Sequence, residues 1–75
     1  MPKIFRYIRL TKHALDRMAQ RGVTKKSIKE TLKNPDTVVS SSEDERYDKR
    51  FGSKRLVVRW TLEKNTAVVI TVYWQ

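Results

Sequence analysis

The feature that most constrains this chain is a change of hydrophobic period at Asn34-Pro35-Asp36. Before it, apolar residues recur every three or four positions, as on an amphipathic helix; after it, they alternate, as on a strand with one buried face. Pro35 lacks a backbone donor and biases Asn34 away from helical dihedrals, so no continuous helix crosses this point. Helices ahead of strands in one short chain must bury their apolar stripes on one face of a sheet.

The helical half divides in two. Thr11 is suited to cap a first helix, and Gly22 stands where that helix should stop in a left-handed conformation. Within it Ala14, Leu15, Met18 and Ala19 form an apolar stripe, while His13, Arg17 and Arg21 recur at every fourth position and share an adjoining face. One histidine beside two guanidinium groups is a way to meet a phosphate. Thr24 is a second cap for a helix over Lys25–Lys33, with Ile28 and Leu32 as its apolar pair and Lys25, Lys26 and Lys29 on its remaining surface.

The alternating half divides into four. Thr37–Ser40 reads as a strand, followed by the polar turn Ser41-Ser42-Glu43-Asp44. In Glu45–Phe51, Arg46, Asp48 and Arg50 alternate with Tyr47, Lys49 and Phe51. After Gly52-Ser53, Leu56, Val58, Trp60 and Leu62 point one way and Arg55, Val57, Arg59 and Thr61 the other. Glu63-Lys64-Asn65 turns the chain into Thr66–Trp74, where strict alternation sets Val68, Ile70, Val72 and Trp74 opposite Ala67, Val69, Thr71 and Tyr73. The expected fold is α+β: two helices packed on a four-stranded antiparallel sheet. Lys3–Leu10 adds a short N-terminal strand or an extended lead-in.

The chain has 75 residues, enough for one domain that buries on the order of 60% of its unfolded surface. Seventeen Lys and Arg against eight Asp and Glu leave a net charge of +9, which points to a polyanionic partner, nucleic acid first. A solvated basic surface kept soluble by self-repulsion is the plainer alternative. No cysteine is present, so disulfides, thiolate metal sites and cysteine nucleophiles are excluded. One histidine and scattered carboxylates offer no metal-ligand spacing, and the two glycines form no phosphate loop, so no metal or cofactor is expected. No apolar run approaches the roughly 20 residues of a membrane span, which gives a cytoplasmic expectation.

Taken together, His13-x-x-x-Arg17-Met18-x-x-Arg21-Gly22-Val23-Thr24, then Asn34-Pro35-Asp36, Arg46-Tyr47, Arg55-Leu56-Val57-Val58 and Val69-Ile70-Thr71-Val72-Tyr73 carry a resemblance. They resemble a small family of prokaryotic domains of unknown function marked by a His-x-x-x-Arg-x-x-x-Arg-Gly helix and a closing Thr-x-Tyr strand. The resemblance implies a place in the fold group of barnase, EndoU, the colicin nucleases and RelE-type toxins. Members with known activity are mostly metal-independent ribonucleases, several of them toxins of toxin–antitoxin pairs. It therefore implies RNA as a partner, free or on the ribosome, and an acidic antitoxin as a second one; assembly is expected to stop at a monomer or weak dimer.

Metal-independent RNA cleavage needs a base for the 2′-hydroxyl proton, cations for the phosphorane and an acid for the leaving oxygen. His13 is the natural base or acid, with Arg17 beside it. Arg21, Arg46, Arg50, Arg55 and Arg59 are candidate phosphate contacts, Thr71 a candidate phosphate donor, and Tyr47 and Tyr73 candidates for stacking a base. No second histidine is present, so a tyrosine, lysine or arginine must share the acid–base work, as the resemblance to RelE-type toxins allows; Tyr73 is assigned that part. The plainer alternatives make His13 a packing residue, the arginines a solvated sheet face, and Tyr73 part of the core or its rim. A non-catalytic nucleic-acid binder, helix-turn-helix-like or non-specific, is the competing function. Against its sequence-specific form, Lys25–Lys33 is poor in side chains that read base edges.

Overall fold

The computed structural model describes residues 4–75. Its elements run β1 (Tyr7–Leu10), α1 (Lys12–Arg21), α2 (Lys25–Lys33), β2 (Thr37–Ser40), β3 (Glu45–Phe51), β4 (Lys54–Glu63) and β5 (Thr66–Trp74). The expected start of the first strand at Lys3 lies outside the described residues.

The helix ends follow from the capping chemistry. Thr11 Oγ1 accepts from the Ala14 N–H, and Gly22 closes α1 at φ 64° and ψ 37°, its N–H donating to the Met18 carbonyl. Thr24 and Ser27 form a reciprocal box at the start of α2, and the Asn34 N–H donates back to Glu30 at its end. Both helices press a narrow apolar line inward: Ala14 and Met18 from α1, Ile28, Thr31 and Leu32 from α2.

The sheet departs from the expected one. It has five strands in the order β1-β5-β4-β3-β2, and β1 runs parallel to β5, so the sheet is mixed rather than antiparallel throughout. β1 lies with Ile8 opposite Ala67 and Leu10 opposite Val69, which places both side chains against the core under the helices. Left unpaired, these two residues and the adjoining backbone would face water, and that is the physical reason the lead-in becomes a strand.

A second correction concerns β5. Arg59 stands opposite Thr71 but Trp60 stands opposite Val69, so Ile70 is an extra residue without a cross-strand partner, a β-bulge. The bulge reverses the alternation partway along the strand. Ala67, Val69, Val72 and Trp74 face the helices, whereas Val68, Thr71 and Tyr73 share the other face, opposite Thr61, Arg59 and Val57.

The core lies between the helices and one sheet face. Trp60 is its centre, fully buried, with the rings of Tyr47 and Phe5 set edge-on to it at 5.1 and 5.6 Å. Such pairs contribute about 0.5–1.5 kcal/mol each beyond area burial. The opposite sheet face carries no helix. There Val57 and Val68 are buried without joining the core cluster, covered instead by the long side chains around them.

Candidate nucleic-acid interface

The helix-free face is built by register. Arg46 on β3 stands opposite Arg59 on β4, and Arg59 opposite Thr71 on β5, so the three form a row across adjacent strands at about 5 Å intervals. Two residues along, Asp48, Val57 and Tyr73 form the next row, and Arg50 opposite Arg55 the one beyond. Val39, Ser41, Asp44, Arg46, Arg59 and Tyr73 enclose a shallow depression of about 280 Å³. Two arginines, a phenol and a carboxylate from the β2–β3 turn and the sheet thus converge on one place.

The ion pairs on this face set which cations are available. Arg55 Nη1 donates to Asp48 Oδ1 at 3.0 Å, and the Asp48 side chain is only 5% exposed. Arg59 Nη2 donates to Asp44 Oδ2, and Asp44 Oδ1 also accepts from Ser41 Oγ at 3.3 Å. Arg9, at the β1 end of the face, lies 3.7 Å from Glu63. Among the described residues the side chains of Arg46 and Arg50 have neither a hydrogen bond nor an ion pair. Arg59 is 46% exposed although the Asp44 side chain is only 13% exposed, so an arriving phosphate can reach Arg59 from the solvent side of the pair.

Helix α1 carries the second group. Thr11 Oγ1 donates to the Val69 carbonyl at 2.8 Å, Arg21 Nη1 donates to the Val72 carbonyl at 2.8 Å, and Trp74 Nε1 donates to the Arg21 carbonyl at 2.8 Å. Because β1 pairs β5 only as far as Val69, these bonds bind α1 along the stretch of β5 that β1 leaves open. The row His13-Arg17-Arg21 follows that edge. His13 is exposed; its Nε2 accepts from Arg17 Nε at 3.4 Å, while Arg17 Nη1 donates to Gln20 at 2.9 Å. Arg21 gives one of its five donors to the fold and keeps the others for solvent or ligand.

The expected site residues therefore separate into groups. Arg46, Arg59, Thr71 and Tyr73 come together, with Arg50 and Arg55 close behind on the same face. His13, Arg17 and Arg21 lie across the β5 edge and do not line the depression. Tyr47 is a correction: it points to the helix side, is fully buried against Trp60, and presents no ring to a base. Asp44, Ser41 and Arg9 were not among the expected site residues. Asp44 reads as an ordinary turn acid, and only the strand register reveals that it reaches Arg59.

Among the described residues no group of three His, Cys, Asp or Glu side chains could hold a metal ion, and no helix is long and apolar enough to cross a membrane. No curated protein and no solved structure matches this chain. A model of a domain of unknown function, DUF4258, matches residues 10–74, from the last residue of β1 to the last of β5. With helices, bulged strand and arginine face all inside the match, the chain belongs to the DUF4258 family.

Proposed function

We propose that this domain binds single-stranded RNA on the open face of its sheet and cleaves it without a metal ion. The observation that carries the reading is that face itself: Arg9, Arg46, Arg50, Arg55 and Arg59 against Asp44, Asp48 and Glu63, with no helix among the described residues over them. Arginine forks match phosphate oxygens two at a time, and a phenol at the edge of the depression offers a base a ring to stack on. A single strand, with its bases free to leave the stack, suits a shallow sheet surface better than a duplex does. In this reading Arg46, Arg59 and Thr71 hold phosphates and Tyr73 meets a base.

Cleavage is the finer part of the proposal. His13 is exposed on α1 with its Nε2 3.4 Å from Arg17 Nε, so an imidazole that can serve as general base lies beside a guanidinium. An RNA strand crossing the β5 edge from Tyr73 would present its backbone to the row of His13, Arg17 and Arg21. His13 takes the 2′-hydroxyl proton as that oxygen attacks the adjacent phosphorus, and Arg17 and Arg21 stabilise the phosphorane charge. The 5′-oxygen leaves with a proton from water, giving 2′,3′-cyclic phosphate and 5′-hydroxyl ends, while Tyr73, across the β5 edge from His13, holds the base. The resemblance of the helix motif to a family of domains of unknown function, for which a place in the fold group of RelE-type toxins is implied, supports this reading, and with it a cytoplasmic setting and an antitoxin partner. The second reading, a non-catalytic RNA binder, rests on His13 not lining the depression.

The test is binding and cleavage of a labelled mixed-sequence RNA in EDTA over a salt series. Removing one phosphate-binding cation should reduce the steepness of log affinity against log salt by about 0.7, so Arg46→Ala with Arg59→Ala should reduce it by about 1.4. Cyclic phosphate ends should appear with the wild type and vanish in His13→Ala. Salt-sensitive binding without cleavage by either protein leaves the non-catalytic binder. Binding that the arginine substitutions do not change removes the sheet face from consideration.

A further inference from the structure

On the helix side of the molecule a groove runs between β1 and α2. It consists of two adjoining hollows of about 320 and 480 Å³ that share Ile8 and Lys29. Lys25 and Lys26 wall the first, and Arg6 and Lys33 the second, above a floor that includes Phe5. Among the described residues no carboxylate lines either hollow. Lys25, Lys29 and Lys33 recur at every fourth position of α2 and stack as three like charges on one helix line, an arrangement that repels itself until an anion lies beside it.

The groove also borders an open strand edge. β1 is the terminal strand of the sheet. The Tyr7 N–H donates inward to Asn65 at 3.1 Å and the Thr11 N–H inward to Val69 at 3.3 Å. Alternate residues of a strand turn their backbone groups to opposite sides, so Ile8 and Leu10 turn theirs outward, away from β5. Among the described residues no partner takes these outward donors and acceptors, which lie next to an apolar floor and a wall of lysines.

We propose that this groove takes an extended, acidic polypeptide segment, which adds to β1 as a further strand and sets carboxylates against Lys25, Lys29 and Lys33. Three observations select a polypeptide. Only a peptide backbone complements the N–H and C=O pattern of a strand edge. The floor of Phe5 and Ile8 calls for an apolar side chain between the acidic ones. The helix cations are all lysines, point charges that a single carboxylate satisfies, whereas the opposite sheet face carries arginine forks. The two surfaces share no residue, so this proposal stands apart from the RNA reading.

The probe is a synthetic peptide of about ten residues with glutamate at alternate positions, one of them replaced by isoleucine, and threonine or valine between. Its control has the same sequence with alternate backbone amides methylated, which preserves charge and side chains but prevents strand addition. Binding to the full chain is read by fluorescence anisotropy, and site by amide hydrogen exchange at Ile8 and Leu10. The expected result is protection of those two amides, binding at least tenfold weaker for the methylated control and for Lys25→Glu with Lys29→Glu, and no change in Arg46→Ala. Equal binding of both peptides, or no binding of either, overturns the proposal. So does protection of the same amides by a single-stranded RNA or by anionic lipid vesicles with no protection by the peptide, which would assign the groove to that ligand instead.

Discussion

Whether an arginine on this sheet is free to take a phosphate depends on the carboxylate beside it. Arg59 is held by Asp44, whose removal leaves no buried charge behind, since the arginine is 46% exposed. Asp44→Asn should therefore strengthen RNA binding several-fold and change stability by no more than about 1 kcal/mol, measurable by anisotropy and urea unfolding. Arg55 differs, because its partner Asp48 is 5% exposed. Arg55→Ala strands that carboxylate and should destabilise the fold by about 1–3 kcal/mol. The two tyrosines divide in the same way. Tyr47→Ala opens a cavity beside Trp60 and should cost about 3–5 kcal/mol of stability. Tyr73→Ala should mainly reduce RNA affinity, by about 1–3 kcal/mol.

At the scale of elements, two caps that look equivalent in sequence carry different loads. Thr24 caps α2 locally, by bonds within its own turn. Thr11 caps α1 and also donates to β5, so it joins helix, β1 and β5 at one hydroxyl. Thr24→Ala should lower stability by about 1 kcal/mol and Thr11→Ala by about 2, a difference that denaturant unfolding resolves. The bulge at Ile70 is the other decisive local feature. Deleting Ile70 would remove the bulge and leave Ala67, Val69, Val72 and Trp74 on the helix face by plain alternation, whereas inserting a residue between Thr71 and Val72 would turn Val72 and Trp74 out of the core, since a one-residue slip reverses every side chain beyond it. The deletion should retain a cooperative thermal transition, whereas the insertion should leave none.

For the whole molecule, a net charge of +9 sits on an 8.9 kDa chain whose two main surfaces are both basic. Arginines occupy the open sheet and lysines the α2 side, so self-repulsion acts across the entire fold. Raising salt from about 20 to about 200 mM shortens the screening length severalfold and should raise Tm by a few degrees. The same change should weaken RNA binding steeply, because the counterions released on association then enter a more concentrated solution. Opposite salt responses of stability and binding in one protein would tie both to the same charges.

The sequence by itself determined where the two helices begin and end and the basic character of the domain. Thr11, Gly22, Thr24 and Asn34-Pro35 are local signals, read within one turn of chain, and the helices begin and end where these residues require. The alternation likewise placed Arg46 and Arg50 on one side of β3 and Arg55 and Arg59 on one side of β4, and the register between the strands then joined the two pairs on one face. Only the tertiary structure decided that β1 joins β5 in parallel, because that pairing links the first strand of the chain to the last and leaves no local trace. It alone decided that Thr71 and Tyr73 turn toward the arginines while Val69 turns inward, since a bulge forms where packing on both sides of a strand demands it. And it alone separated Tyr47 from Tyr73, two aromatic residues in strands of similar pattern, one beneath the helices and the other on the open face.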